Sequence, residues 1–179
     1  DALEQYRQAA SLVAEEPNYQ YRLGLVCKRL SRLDVAVEAL RQAVALRPSF
    51  AAAHHELGQV YQLQGWFSEA LTEYRIAADL EPGKAQHQFE VAAMLKRLGR
   101  YPEALASLRR AVELQPDYAD ALNEIGLVLQ ALQRHDEAIK PLLRAVELAP
   151  TEGTYLRNLG QCYLQLRMYR EAATALERA

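Results

Sequence analysis

Four prolines, Pro48, Pro82, Pro116 and Pro150, recur at a constant step of 34 residues and fix the register of the whole chain. Two alanine ladders keep that step: Ala2, Ala36, Ala70, Ala104, Ala138, Ala172 and Ala9, Ala43, Ala77, Ala111, Ala145, Ala179. Aliphatic residues recur at Leu23, Leu57, Val91, Ile125 and Leu159, each followed by a small residue (Gly24, Gly58, Ala92, Gly126, Gly160). So many columns in one register restrict the chain to a repeat architecture, in which each unit buries its apolar face against its neighbours.

Each unit reads as two helices. In residues 119–152, Ala121, Leu122, Ile125, Val128 and Leu129 follow the three- and four-residue steps of an amphipathic helix. A break falls near Gln133–His135. Asp136 then opens a second helix through Ala138, Ile139, Leu142, Ala145 and Val146, and Pro150 ends it. The same reading predicts A helices over 17–30, 51–64, 85–98, 119–132 and 153–166, and B helices over 34–46, 68–80, 102–114, 136–148 and 170–179, with a lone B helix over 1–14. Glycine inside a helix costs about 1 kcal/mol relative to alanine, so the Gly24 column needs a packing reason. We expect it to let the two helices of a hairpin approach, with Gly58 and Ala70 at the crossing and Tyr61, Phe67 and Tyr74 filling the space around them. Pro102 suits a first helical position. Pro141 lies well inside a B helix, so a kink or a late helix start is expected there.

Composition narrows the function classes. The 179 residues are half apolar and one quarter charged, with a formal net charge of −2. That balance offers no strong field for nucleic acid or an anionic membrane. No apolar run approaches the roughly 20 residues that span a bilayer. No signal peptide is visible at DALEQYRQAA, and a cytoplasmic location is expected. Cys27 and Cys162 are read as two reduced thiols packed as small hydrophobes, since a disulfide framework or zinc site needs more cysteines at closer spacing.

The period, the Leu-Gly pair, the alanine columns and the proline step resemble the tetratricopeptide repeat (TPR) family, as in LGQVYQLQGWFSEALTEYRIAADLEP and IGLVLQALQRHDEAIKPLLRAVELAP. The resemblance covers the whole chain and is close to the style of bacterial members. It implies an all-α fold, a right-handed α-solenoid of antiparallel helix pairs whose A helices line the concave side. One array is expected over 1–179: 1–16 as helix B of a truncated repeat, 17–50, 51–84, 85–118 and 119–152 as full repeats, and 153–179 as a repeat truncated in helix B. The family's turn glycine is kept at Gly65 and Gly99 but is Ser31, Gln133 and Arg167 elsewhere, which is expected to alter local turn geometry. The large aromatic often found early in helix A is replaced by Gln20, His54, Gln88, Leu122 and Leu156.

Counted from the first residue of each unit, positions two, five, six, nine, twelve and thirteen of helix A share one face and are poor core candidates. The fifth position holds Tyr21, His55, Phe89, Asn123 and Arg157, and the sixth holds Arg22, Glu56, Glu90, Glu124 and Asn158. The ninth holds Leu25, Gln59, Ala93, Leu127 and Gln161, and the twelfth and thirteenth include the doublets Lys28-Arg29 and Lys96-Arg97. This pattern predicts an acidic row beside basic rows, with Tyr21 and Phe89 as apolar anchors. Such a groove suits a protein or peptide ligand of mixed charge, extended or helical. The alternative is a solvated face that only keeps the array soluble. The clamp for acidic chaperone tails is not expected, because no asparagine stands at the ninth position and the glutamates would repel such a tail.

No phosphate-binding glycine loop, dinucleotide fingerprint or HExxH is present. His54 and His135 are read as packing or turn histidines. Although His54 and His55 lie near His87 in register, adjacent helix residues diverge by about 100°, so no metal site is expected. No catalytic residue, cofactor or nucleic-acid partner is expected, nor direct membrane insertion. Both ends fall inside helix B, so end-to-end self-association through uncapped apolar faces is expected. The chain is thus read as a protein–protein interaction scaffold or adaptor rather than an enzyme. The alternatives are the recruiting arm of a larger enzyme, such as a glycosyltransferase, or an assembly factor for a membrane or secretion complex.

Overall fold

The residue before each repeating proline is forced out of the helical region by the proline ring, and this sets where four B helices stop. Arg47 (φ −138°, ψ 89°), Glu81 (φ −130°, ψ 69°), Gln115 (φ −138°, ψ 91°) and Ala149 (φ −137°, ψ 77°) are all extended. The computed structural model describes residues 16–179, and the expected helix over 1–14 lies outside them. The chain forms two units divided between Pro82 and Gly83. The first contains α1 (Pro17–Arg29), α2 (Leu33–Leu46), α3 (Ala51–Gln64) and α4 (Phe67–Leu80). The second contains α5 (Ala85–Arg97), α6 (Tyr101–Leu114), α7 (Ala119–Ala131), α8 (His135–Leu148), α9 (Gly153–Gln165) and α10 (Tyr169–Glu177). The described residues are all helix and turn. The helices match the expected spans to within one residue at most ends. None is long and apolar enough to cross a membrane.

Within each unit, odd and even helices pair as hairpins, and each B helix also packs on the next A helix: α2 on α3, α6 on α7, α8 on α9. The alanine ladders carry that packing. Ala36, Ala43, Ala70, Ala77, Ala104, Ala111, Ala138 and Ala145 are completely buried. The glycine column meets a large B-helix residue sixteen positions on. A Cβ on Gly58 would lie 2.8 Å from the Tyr74 ring, and one on Gly126 would lie 2.6 Å from Leu142 Cδ2. Thus Tyr74 takes the space that Gly58 leaves, as the sequence reading has it. Cys27 and Cys162 are buried free thiols, and burial pushes the Cys162 thiol pKa up.

All five A-to-B turns have one geometry, whatever residue occupies them. Ser31 (φ 56°), Gly65 (φ 79°), Gly99 (φ 72°), Gln133 (φ 60°) and Arg167 (φ 60°) are left-handed. In each turn the left-handed residue donates its N–H to the carbonyl three back, and the next residue donates to the carbonyl five back, as in Gln133→Gln130 (2.9 Å) and Arg134→Leu129 (2.9 Å). This is the Schellman closure. It is made of backbone alone, so the loss of glycine leaves turn geometry unchanged, contrary to the sequence expectation. A non-glycine residue there carries a strain of roughly 1–2 kcal/mol, partly offset by glycine's greater entropy when unfolded. Gln133→Gly should therefore stabilise the chain by up to about 1 kcal/mol, measured by urea unfolding. A loss of stability would mean that the Gln133 side chain, 3.3 Å from His135 Nε2, matters more than the backbone.

The late helix start expected at Pro141 is not seen, because α8 starts at His135 and continues through it to Leu148. Proline removes one hydrogen bond, to the carbonyl of Glu137. Glu137 is exposed, so water can satisfy that carbonyl while packing on α7 and α9 holds the helix.

Candidate functional site

The residues expected to share a groove face divide into three groups. Arg22, Arg29, Arg97, Arg157 and Gln161 are exposed. Tyr21, Leu25, Lys28, His55, Glu56, Gln59, Phe89, Glu90, Lys96, Glu124, Leu127 and Asn158 are half-buried. Asn123 is buried, at 6% exposure, and so does not present a free amide. Its Oδ1 accepts a 2.8 Å hydrogen bond from Asn158 Nδ2. A buried amide needs such a partner, and the next A helix supplies it.

Two lysines of the basic rows pair with glutamates of the acidic row inside their own units, while Arg22, Arg29 and Arg97 stay exposed. Lys28 at the twelfth position ion-pairs with Glu56 at the sixth position of the next repeat, and donates to Gln59 Oε1 at 2.6 Å. Lys96 repeats the pairing with Glu124. At the same register Gln130 Nε2 donates to the Asn158 carbonyl at 3.2 Å. Glu56 and Glu124 are therefore neutralised, not free acidic surface. The doublets have a local reason too. They occupy the last turns of α1 and α5, where the helix dipole favours positive charge.

Tyr21 and Phe89 are also partly used in packing. Tyr21 lies 4.9 Å from the Phe50 ring and Phe89 lies 5.1 Å from the Tyr118 ring, centroid to centroid. Phe50 and Tyr118 each precede the A helix of the following repeat. Sequence reasoning missed both, because they lie off the helical face, although they recur two repeats apart together with Tyr21 and Phe89. Arg47 stacks over Phe50 at 4.7 Å, and the Tyr118 hydroxyl donates to Gln86 at 2.6 Å. Burial, with the charges of Asp120 and Glu90, pushes the Tyr118 phenol up to about 12. Burial and the Glu56 charge raise the Tyr21 phenol as well.

His54 is a packing residue, as expected. It is 6% exposed and uses both ring nitrogens, Nδ1 at 2.6 Å from Glu73 Oε2 and Nε2 at 2.9 Å from the Pro48 carbonyl. His55 faces the Tyr74 ring at 5.8 Å.

Beside these paired charges the second unit has a small cavity of about 60 Å³, lined by Phe89, Ala92, Ala93, Lys96, Leu108 and Glu124. Its cause is in the sequence. Ala93 stands in a column that holds Leu25, Gln59, Leu127 and Gln161 in the other repeats, and the missing side chain leaves the space. An apolar cavity of about 150 Å³ holds a benzene ring, so this one suits a short aliphatic group.

No curated protein matches the sequence significantly. The solved structures do. The crystal structure of MamA superposes with a TM-score of 0.84 at 21% identity, covering 87% of this chain and 91% of that one. YrrB, described as a TPR protein with an unusual peptide-binding site, gives 0.82 at 22% identity, over 97% and 89% of the two chains. The structure of Pseudomonas aeruginosa pilF gives 0.77 at 23% identity, over 90% and 74%. At such identities the likeness is one of fold. Models of the tetratricopeptide repeat match residues 94–153, and of the TPR repeat residues 27–65, together more than half of the sequence. Matched in sequence over these segments and in fold over most of its length, the chain belongs to the tetratricopeptide repeat family.

Proposed function

We propose that this chain is a protein–protein interaction scaffold that holds a partner segment on its A-helix faces, with one short aliphatic side chain of that segment seated in the cavity at Ala93. The repeat-family matches support the scaffold in general. The cavity carries the finer reading. It is an apolar recess beside the Lys96–Glu124 ion pair, so it offers an apolar group burial and a flanking polar segment both signs of charge. Exposed Arg157 and Gln161 in the same unit remain available to a ligand backbone or carboxylate. YrrB, a peptide-binding protein of the same fold, supports the reading by analogy.

The test uses peptides selected on the whole chain from a displayed random library. Ala93→Leu fills the recess with a residue that this column already holds at Leu25 and Leu127. Affinity for the selected peptides should fall about tenfold, or about 1.4 kcal/mol, with melting unchanged. Undiminished affinity would place the binding surface elsewhere.

A further inference from the structure

A second recess lies between two B helices of the second unit. It has a volume of about 240 Å³ and is walled by Leu143 and Val146 of α8, Leu156, Leu159 and Tyr163 of α9, and Ala175 of α10. Glu171 and Arg178 also line it. What it lacks is visible by comparison with the equivalent place in the first unit, three 34-residue steps earlier. There Arg41 stands where Leu143 stands here, and Tyr61 where Tyr163 stands. Arg41 Nε donates to the Tyr61 hydroxyl at 2.7 Å, and its guanidinium carbon lies 5.6 Å from the Tyr61 ring centroid.

Glu171 also lacks a local arginine that two other repeats supply, although the first-unit site has Trp66 at that place. In the third and fourth repeats Arg100 and Arg134 hold the carboxylates of Glu103 and Glu137 three residues on, through 2.7 Å and 2.6 Å contacts. The equivalents in the fifth repeat are Met168 and Glu171. Glu171 therefore has no such arginine, and Tyr163 has no equivalent of Arg41. Both side chains line the recess, and burial first, with the Glu171 charge second, raises the Tyr163 phenol. Its hydroxyl is protonated at neutral pH, as for any tyrosine whose pKa is not lowered.

We propose that the recess between α8 and α10 binds an arginine side chain of a protein partner. Its methylenes lie on Leu143 and Val146, and its guanidinium takes the place relative to Tyr163 that Arg41 takes relative to Tyr61, with Glu171 as the counter-charge. A planar guanidinium is favoured over an ammonium because it can stack on the ring and reach carboxylate and phenol together. The volume is sufficient, since about 150 Å³ already holds a benzene ring. Arg178, the residue that follows α10, lies about two helical turns from Glu171, about 10 Å. It selects for an acidic residue near the arginine in the partner.

The test is a nuclear magnetic resonance titration of the whole chain with N-acetyl-arginine methylamide, read at the Tyr163 ring and the Leu143 methyls. The expected result is a saturable shift at both in the millimolar range. The neutral citrulline analogue and the Glu171→Gln chain should each respond at least fivefold more weakly. Leu143→Arg, which restores the arginine of the first three repeats at an exposed site, should abolish the response. No shift at Tyr163, an equal response to citrulline, or an unchanged response in Leu143→Arg would each overturn the assignment. The Ala93→Leu chain should bind the arginine probe normally, which separates this site from the A-helix face.

Discussion

Replacing Gly126 by leucine should lower stability by about 1–3 kcal/mol, the usual cost of forcing extra methylenes into a close-packed site. The first added carbon already falls 2.6 Å from Leu142 Cδ2 and 3.0 Å from Cδ1, and Leu142 is completely buried with no free volume to enter. The rest of the side chain must therefore push α7 and α8 apart. Part of the penalty is returned by helix propensity, since leucine is better than glycine in a helix by about 1 kcal/mol. Gly126→Ala sharpens the test. Ala92 shows that the column accepts a methyl group where Leu108 is its counterpart, and both are buried to within 2%. The alanine variant carries the same crowded Cβ but gains about 1 kcal/mol of helix propensity, so it should melt between the parent and the leucine variant, which melts several degrees lower. Equal melting of the leucine variant and the parent would mean that the two helices are not held at closest approach there.

The second large effect should appear as a change of stability with pH. Both ring nitrogens of His54 face acceptors, the Glu73 carboxylate and the Pro48 carbonyl, so both must carry a proton to satisfy them. Burial alone would lower the histidine pKa, but the hydrogen bonds to Glu73 and Pro48 and the carboxylate's charge outweigh it. The result lies above the ordinary 6.5. The sign follows from linkage. Below pH 6.5 the imidazolium is present folded and unfolded, and its stabilisation is complete. As pH rises through the higher folded value, the proton is lost and the stabilisation goes with it. His54→Leu should remove that pH dependence, because leucine fills the same column at Leu122 and Leu156. Glu73→Ala should cost about 1–3 kcal/mol at mildly acid pH, the penalty for leaving a buried donor unpaired. Parallel stability–pH curves for the parent and His54→Leu would show that the histidine does not titrate in this range.

The helices were legible in the sequence for a local reason. Proline, glycine and the apolar step act within one or two turns, and the 34-residue repetition displays each signal several times. The face of each A helix was legible on the same basis. What it meets was not. A helical wheel gives the direction of Lys28 from its own axis, but the stagger of the next helix decides that the ammonium reaches Glu56. The same stagger buries Asn123 under Asn158 and sets Phe50 against Tyr21. The late helix start expected at Pro141 and the turn residues Ser31, Gln133 and Arg167 were misjudged in the opposite sense. Their intrinsic preferences are worth only a few kcal/mol at most, and packing along the whole hairpin exceeds that.

The pairing of the twelfth position with the sixth position of the following repeat has a consequence for the order of the repeats. The alanine and glycine columns are nearly identical from unit to unit, so by packing alone many orders would stack equally well. The polar pairs discriminate among them. Joining residues 17–50 directly to 153–179 would preserve the small-residue columns but set Lys28 against Asn158 rather than a carboxylate. The half-buried lysine–glutamate and glutamine–asparagine contacts thus act as neighbour labels, and a shuffled array would fold with its labels mismatched.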